Sequence, residues 1–169
     1  DWTGLYLDYD VDRIHSCKRK DIFEAPEKIF FRRVSANLMA AYDDQQYFAL
    51  NTLVVITPKA CDVNLKYVLG VFNSKLMNFI YKKKFKSTKT VFSEIQARSV
   101  GMLPMKADTV YMKRISAVVS EVLNVKEKKK DTSSLENQID FLVYHLYDLT
   151  YDEVLIVDPE TPITREQYE

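Results

Sequence analysis

The sequence has few of the residues on which several protein classes depend. It contains three glycines in 169 residues, too few for a glycine-rich phosphate loop, a propeller or a hairpin-dense barrel. Its two cysteines are too few for a disulfide scaffold. No run of about 18 apolar residues occurs, so we expect no membrane-spanning helix. The acidic, aromatic start is unlike a signal peptide, so we expect a cytoplasmic protein. Because Asp1 is not a natural start, we expect the chain to begin inside a larger protein.

Residues for catalysis and metal binding are also scarce. Two histidines leave few candidates for a pair of nucleophile and base. His15 and Cys17, with Cys61 and His145 elsewhere, match no common zinc spacing. Pro26-Glu27-Lys28 matches a nuclease metal motif only in part, because the separate leading acid is missing. We therefore predict no catalytic residue and no metal site in this chain.

Apolar residues are plentiful and charge is unevenly distributed. The hydrophobic fraction of 47% and the aromatic fraction of 12% predict a substantial core. The net charge is zero, but residues 75–98 hold seven Lys or Arg and one acid, whereas residues 131–169 hold ten acids and one Arg. Because local fields guide the approach of a polyanion, this polarity favours binding to one.

The first half of the chain reads as strands followed by a helix. Residues 27–35 are rich in β-formers, residues 43–45 form a turn, and residues 46–58 hold one or two more strands. From Leu65 to Ile80 apolar residues recur at three-four spacing, which predicts an amphipathic helix capped by Asp62 or Asn64. Asn73 and Ser74 mark either a kink or a break into two helices.

The second half reads mainly as helices. A short element and an extended strand with Pro104 follow the basic segment, and a helix is predicted over residues 110–125. Ser134 can cap a further helix over residues 135–147, while the last twenty residues, with two prolines, are expected to fray. The pattern predicts an α+β fold with a small mixed or antiparallel sheet, a long central helix and C-terminal helices that pack on it.

In this order the segments resemble the TaqI-like C-terminal specificity domain of restriction-modification enzymes. The resemblance rests on a strand with Arg32 and Arg33, a second strand, a helix bearing Asn73 and Ser74, and a later strand with Leu103-Pro104. Residues 137–157 are similar to the C-terminal helix of large fused restriction-methylation enzymes. One departure is Asp148, which stands where the family often has glycine. The resemblance covers residues 27–157.

The resemblance implies a non-catalytic domain that binds double-stranded DNA and reads its sequence in the major groove. Its partner would be the methyltransferase domain of the same parent, which flips and methylates an adenine. The signature Asn-Pro-Pro-Tyr of that domain is absent here, so no cofactor is expected in this chain and S-adenosylmethionine would bind elsewhere in the parent. Residues 1–125 would form the recognition domain and residues 126–169 a linker with a helical extension.

Two groups of residues are candidates for DNA binding. Neighbouring residues on a strand point to opposite faces, so one of Arg32 and Arg33 can face DNA while the other pairs with an acid such as Asp43. Alternatively, both arginines form structural ion pairs. Asn51 and Thr52 are either readers of base edges or an ordinary strand end. The basic segment offers phosphate contacts through Lys82, Lys84, Lys86, Ser87, Thr88 and Lys89.

Other interpretations remain open for these patterns. The lysines of the basic segment could be a solvated helix end that the helix dipole stabilises. A protein-interaction module could instead dock its partner through the acidic C-terminal helix. A small enzyme would need a pocket that the sequence does not reveal.

Overall fold

A computed structural model describes residues 4, 8–15, 18–59, 64–85 and 93–169. The predicted roles of Lys86, Ser87, Thr88 and Lys89, and of Cys17, Cys61 and Asp62, fall outside these residues. The strands within them are β1 (Lys28–Arg32), β2 (Val34–Ser35), β3 (Ala40–Asp43), β4 (Leu53–Ile56) and β5 (Ser93–Glu94). The helices are α1 (Lys20–Phe23), α2 (Leu65–Asn73), α3 (Lys75–Phe85), α4 (Ala97–Val100), α5 (Thr109–Glu127), α6 (Ser133–Leu146), α7 (Tyr151–Val157) and α8 (Arg165–Tyr168).

The strands form two small antiparallel sheets, which confirms the predicted α+β class. β1 lies between β3 and β4, with Phe30 opposite Ala41 on one side and Val55 on the other. β2 pairs with β5. The strand predicted over residues 27–35 is present but is interrupted at Arg33, where the chain passes from the first sheet to the second. Ile29 and Phe31 of β1 are buried in the core.

The strand prediction for residues 46–58 was wrong in extent. Only Leu53–Ile56 is extended in a sheet, whereas residues 44–52 form a loop and β3, which the pattern did not reveal, precedes the predicted turn. The turn at residues 43–45 is confirmed: the Gln45 amide donates to Asp43 Oδ1 over 2.9 Å. Asp43 accepts hydrogen bonds from amides at the start of this loop. The loop then leads from β3 to β4, which lies on the opposite side of β1.

The central helical segment is broken in two at Ser74, one of the two predicted alternatives. Asn64 caps α2 by accepting a hydrogen bond from the Tyr67 amide over 3.0 Å. The Ser74 hydroxyl donates to the Val71 carbonyl over 2.7 Å and accepts from the Met77 amide over 3.2 Å. One side chain therefore closes α2 and opens α3.

The helices α2, α5 and α6 surround one hydrophobic core. Gly70 lets α2 approach α5 closely, since a Cβ there would lie 2.7 Å from Ile115 Cγ2 and 2.9 Å from Val119 Cγ2. The predicted inward faces of α5 and α6 are confirmed, and both consist of buried aliphatic residues: Ile115, Val118, Val119, Val122, Ile139, Leu142, Val143 and Leu146. The N-cap of α6 is Thr132, not Ser134 as predicted.

The C-terminal residues do not fray as predicted. Thr150 with Glu153, and Thr164 with Gln167, form capping boxes at the starts of α7 and α8. Tyr168 is buried, and its hydroxyl donates to the Leu149 carbonyl over 2.6 Å. Local capping and one buried aromatic ring thus outweigh the two prolines.

The segment around Leu103-Pro104 is a turn and loop after α4, not the predicted strand. Leu103 is buried, and the Tyr147 hydroxyl donates to the Pro104 carbonyl over 2.6 Å. Since Pro104 has no N–H and its carbonyl is bound to a side chain, no ladder can form here. Among the described residues, no helix is both long and apolar enough to cross a membrane.

Candidate nucleic-acid interface

An open depression lies where β1 ends, and its residues come from both sheets. Its volume is about 610 Å³. The backbone of Arg33 joins the two sides, because its amide donates to the Thr52 carbonyl over 3.0 Å and its carbonyl accepts from the Ile95 amide over 2.6 Å. We call this feature the arginine depression; it is lined by Arg32, Arg33, Val34, Asn51, Thr52, Leu53 and Glu94.

The side chain of Arg33 is held on one edge and free on the other. Its Nε donates to Glu94 Oε1 over 2.7 Å, and both side chains are about half exposed, at 46% and 48%. Within the described part of the chain, the terminal guanidinium nitrogens of Arg33 have no hydrogen-bond partner. The prediction that one arginine pairs with an acid is confirmed, but the acid is Glu94 and not Asp43, the example that the sequence suggested. Glu94 therefore restrains the guanidinium through Nε, and as far as the described residues go the two terminal nitrogens stay available.

Arg32 is exposed at the end of β1, opposite Leu53. Among the residues that the structure describes, no carboxylate forms an ion pair with Arg32. The alternative interpretation gave both arginines a structural ion pair. Among the described residues, only Arg33 forms one. Counting only partners among the described residues, the depression thus holds one unpaired and one half-paired guanidinium.

Asn51 and Thr52 form an exposed turn beside the arginines. The Leu53 amide donates to the Leu50 carbonyl over 3.2 Å and closes this turn. Both side chains are exposed, and both line the arginine depression. The sequence predicted that Asn51 and Thr52 are either readers of base edges or a strand end. The structure places them in the turn directly before β4, together with Arg32 and Arg33.

A buried ion pair supports the loop that leads to this turn. Lys28 Nζ lies 2.5 Å from Asp43 Oδ2, with side-chain exposures of 0% and 4%. Lys28 also donates to the Phe23 carbonyl over 2.7 Å, and Asp43 accepts from the amides of Gln45 and Tyr47 over 2.9 and 3.0 Å. Sequence reasoning missed this pair; a lysine inside an apolar strand was the available signal. Lys28 thus has a structural role. Because it is buried in this pair, it does not act as the lysine of the partial nuclease motif.

The basic residues at the end of α3 are exposed to solvent. Lys82 and Lys84 lie in its last turn, and within the described ranges neither is in an ion pair. Lys84 Nζ lies 5.4 Å from the centre of the Phe85 ring. Their position also suits the negative end of the helix dipole, the alternative given by the sequence. The chain then leads within eight residues to β5, whose Glu94 lines the arginine depression.

Half of the acidic residues of the C-terminal region are bound to bases of the same chain. Asp158 is 2.7 Å from Lys75 Nζ, and Glu136 is 2.9 Å from Lys126 Nζ. The other pairs are Asp148 with Lys106, Asp152 with Arg165, and Glu169 with Arg165. Internal pairing therefore neutralises half of the carboxylates of this region.

Histidine and carboxylate groups do not cluster as a metal site would require. Within the part of the chain that the structure describes, no three His, Cys, Asp or Glu residues are grouped to hold an ion. His145 instead stacks on Tyr168 with ring centres 4.3 Å apart, and burial lowers the pKa of its imidazole.

Two comparisons with known proteins extend this description. Residues 1–105 match the family model described as the TaqI-like C-terminal specificity domain. The chain is also 31% identical over 152 residues to a protein of Methanocaldococcus jannaschii that is named provisionally as a type II restriction enzyme and methyltransferase. That match covers 84% of this chain and 13% of the relative, so the chain spans a small part of the relative's length.

Proposed function

This chain belongs to the TaqI-like C-terminal specificity domain family, and from that premise we propose that it binds double-stranded DNA and selects the sequence on which its parent acts. The observation that carries the proposal is the arginine depression. Among the described residues, it combines Arg32, which has no ion pair, with Arg33, whose terminal nitrogens have no hydrogen-bond partner. Exposed arginines beside Asn51 and Thr52 form a set of side chains suited to base edges.

The chemistry of the depression matches the edges of bases in the major groove. An arginine can donate two hydrogen bonds to O6 and N7 of guanine, and an asparagine can pair with N6 and N7 of adenine. Glu94 orients Arg33 before DNA arrives, which reduces the rotamer entropy lost on binding. Exposed Val34, at 60%, can contact the methyl group of thymine. We therefore assign sequence reading to Arg32, Arg33 and Asn51.

The basic segment supplies the attraction that does not depend on sequence. Lys82 and Lys84 at the end of α3, followed by Lys86 and Lys89, would bind phosphates, and Ser87 and Thr88 would donate to phosphate oxygens. This segment leads directly into β5 and the depression. Phosphate binding would therefore set the register in which the arginines meet the bases.

The chemistry of the parent would take place outside this chain. The relative's name includes a restriction enzyme and a methyltransferase, and we propose a methyltransferase domain of the same parent as the partner. That domain would bind S-adenosylmethionine and act on a flipped adenine. Within this chain, residues 1–125 would carry the DNA face and residues 126–169 would support it.

The first test measures how DNA affinity of the natural protein that carries this chain depends on salt. The change is Lys82→Ala with Lys84→Ala, and the matched control is Lys128→Ala with Lys130→Ala, two exposed lysines in the turn before α6. If each lysine of α3 binds one phosphate, the slope of log K against log salt falls by about two in magnitude. The control should retain the wild-type slope.

The second test examines sequence reading with a pool of random duplexes. We expect wild-type protein to enrich a motif, Arg32→Ala to relax one position of it, and the α3 double variant to keep the motif at lower affinity. A wild-type protein that enriches no motif would refute target recognition. The rival function is a module that docks a protein partner through the acidic helices. A parent protein whose affinity for its ligand does not change with salt would favour that rival.

A further inference from the structure

The loop that joins β3 to β4 exposes three large apolar side chains. Tyr47 is 67% exposed and Leu50 is 68% exposed, on either side of Phe48, which is 42% exposed and packs against other rings. The two most exposed of them are Tyr47 and Leu50. We call these two residues the apolar tip. Leu50 directly precedes the Asn51–Thr52 turn, and Tyr47 lies three residues earlier. Large apolar side chains that are exposed within four residues of one loop are candidates for a contact with another molecule.

The loop that carries the apolar tip is anchored at several points. Phe48 stacks on Phe23 with ring centres 5.0 Å apart and meets Tyr9 at 4.8 Å. The Gln46 side chain donates to the Glu24 carbonyl over 2.8 Å. Asp43 accepts from the Tyr47 amide over 3.0 Å. The backbone is therefore fixed around the tip, so that Tyr47 and Leu50 are exposed on a preorganised loop.

The apolar tip is coupled to the polar readers of the arginine depression. The Leu50 carbonyl accepts the hydrogen bond that closes the Asn51–Thr52 turn, and the Thr52 carbonyl accepts from the Arg33 amide over 3.0 Å. Leu50 does not line the depression but directly precedes Asn51, so a ligand large enough to extend from the depression along this loop would also meet Leu50. Such a ligand must offer negative charge, hydrogen-bonding edges and apolar faces within a short distance.

Duplex DNA offers all three, because its stacked bases become apolar faces once a step is opened. We propose that Tyr47 and Leu50 form an apolar wedge that inserts at a base step next to the bases read by the arginine depression. This inference rests on the proposed function, since the wedge acts only on bound DNA. Insertion would partly unstack the step and bend the duplex. The flexible pyrimidine–purine steps would open at least cost and would be favoured at that position.

The test measures DNA bending by energy transfer between dyes on the two ends of a duplex carrying the selected motif. It uses the natural protein that carries this chain, with no cofactor added. Inserted side chains bend DNA by about 20–90°, so we expect wild-type protein to shorten the distance between the dyes. Tyr47→Ala with Leu50→Ala should abolish the shortening while the salt slope of binding stays unchanged, since no phosphate contact is lost.

Two controls separate the wedge from other roles of these residues. Ile156→Ala removes an apolar side chain of similar exposure, 65%, from α7 and should bend DNA as the wild type does. Tyr47→Phe keeps the ring and should also bend DNA. Thermal unfolding of each variant without DNA shows whether the tip instead packs against another domain of the parent.

Four outcomes would overturn the wedge. A straight duplex in the wild-type complex, or a bend that survives in the double alanine variant, excludes insertion while leaving DNA recognition intact. A variant that bends DNA normally but melts at lower temperature shows that the tip packs against a protein surface. Absence of any DNA binding by the wild type would refute the proposed function and the wedge together, and the salt titration distinguishes that case.

Discussion

The sheet end and the C-terminal helices carry charges that are used in opposite ways. Around the arginine depression, Arg32 has no ion pair among the described residues, and Arg33 gives only one nitrogen to Glu94. In the C-terminal region the carboxylates of Asp158 and Glu136 are bound to lysines, and Asp140 caps a helix from a buried position. Charge that is satisfied internally contributes to folding, whereas charge left without a partner is available to a ligand.

The largest effect that this comparison predicts concerns the buried pair beneath the sheet end. Asp43→Ala would leave Lys28 buried without a carboxylate and the amides of Gln45 and Tyr47 without an acceptor. Breaking a buried pair from one side costs about 3–5 kcal/mol of unfolding free energy. Urea denaturation followed by circular dichroism measures this loss.

The matched control for Asp43 is Glu94→Ala, which breaks the half-exposed pair with Arg33. Exposed pairs contribute about 0–1 kcal/mol, so its unfolding curve should stay close to that of the wild type. Equal losses for the two variants would contradict the distinction between charges that hold the fold and charges left for a ligand.

The next effect is a pH dependence that Asp140 gives to the helical region. Asp140 lies on α6, is 7% exposed, and accepts from the Lys75 amide at the start of α3 over 2.8 Å. Burial raises the pKa of its carboxyl to about 6, despite the opposing effect of Lys75. In the unfolded chain that pKa returns to about 4. Between these values the folded state binds more protons than the unfolded state, so this group's contribution to stability falls as pH rises from 4 to 6.

The variant Asp140→Asn removes this titration and keeps an oxygen for the Lys75 amide. The difference in unfolding free energy between wild type and variant should shift by about 2 kcal/mol from pH 4 to pH 7, with the wild type losing stability relative to the variant. Urea denaturation at several pH values measures it. Asp131→Asn is the control: hydrogen bonds from Ser133 lower the pKa of Asp131, so its contribution changes in the opposite direction. A difference that does not vary with pH would show that Asp140 is not perturbed by burial.

The sequence reveals the helices of this fold better than its strands. Regular apolar spacing identified α5 and α6 and their inward residues, because that spacing depends only on the geometry of one helix. β3 escaped notice because the four-residue strand is held from outside: the Asn73 amide group accepts from the Ala40 amide over 2.9 Å and donates to its carbonyl over 3.0 Å. Such partners lie 33 residues apart in sequence and cannot be inferred from local pattern.

The candidate site shows the same limit. Two adjacent arginines on a strand were visible in the sequence, but which one is paired depends on Glu94, which lies 61 residues away. Asp43 lies close to the two arginines in sequence and was a reasonable partner for one of them. In the structure it lies opposite Lys28 in the pairing of β1 with β3 and forms its ion pair with that lysine. The capping boxes of α7 and α8, in contrast, are local patterns that the sequence contains. The prediction that this region frays was wrong because it considered only the two prolines.

The smallest predicted effect concerns backbone strain in the turn that joins α5 to α6. The turn after α5 closes when the Lys130 amide donates to the Val125 carbonyl over 3.2 Å, and this geometry gives Lys129 a positive φ of 55°. A residue with a Cβ is strained in that conformation, so Lys129→Gly should raise the unfolding free energy by about 0.5–1 kcal/mol. Lys128→Gly is the matched control; its φ of −82° needs no glycine, so the added freedom of the unfolded chain should lower stability. Thermal unfolding of the two variants distinguishes the signs, and a loss in both would show that the backbone of this turn is not under strain.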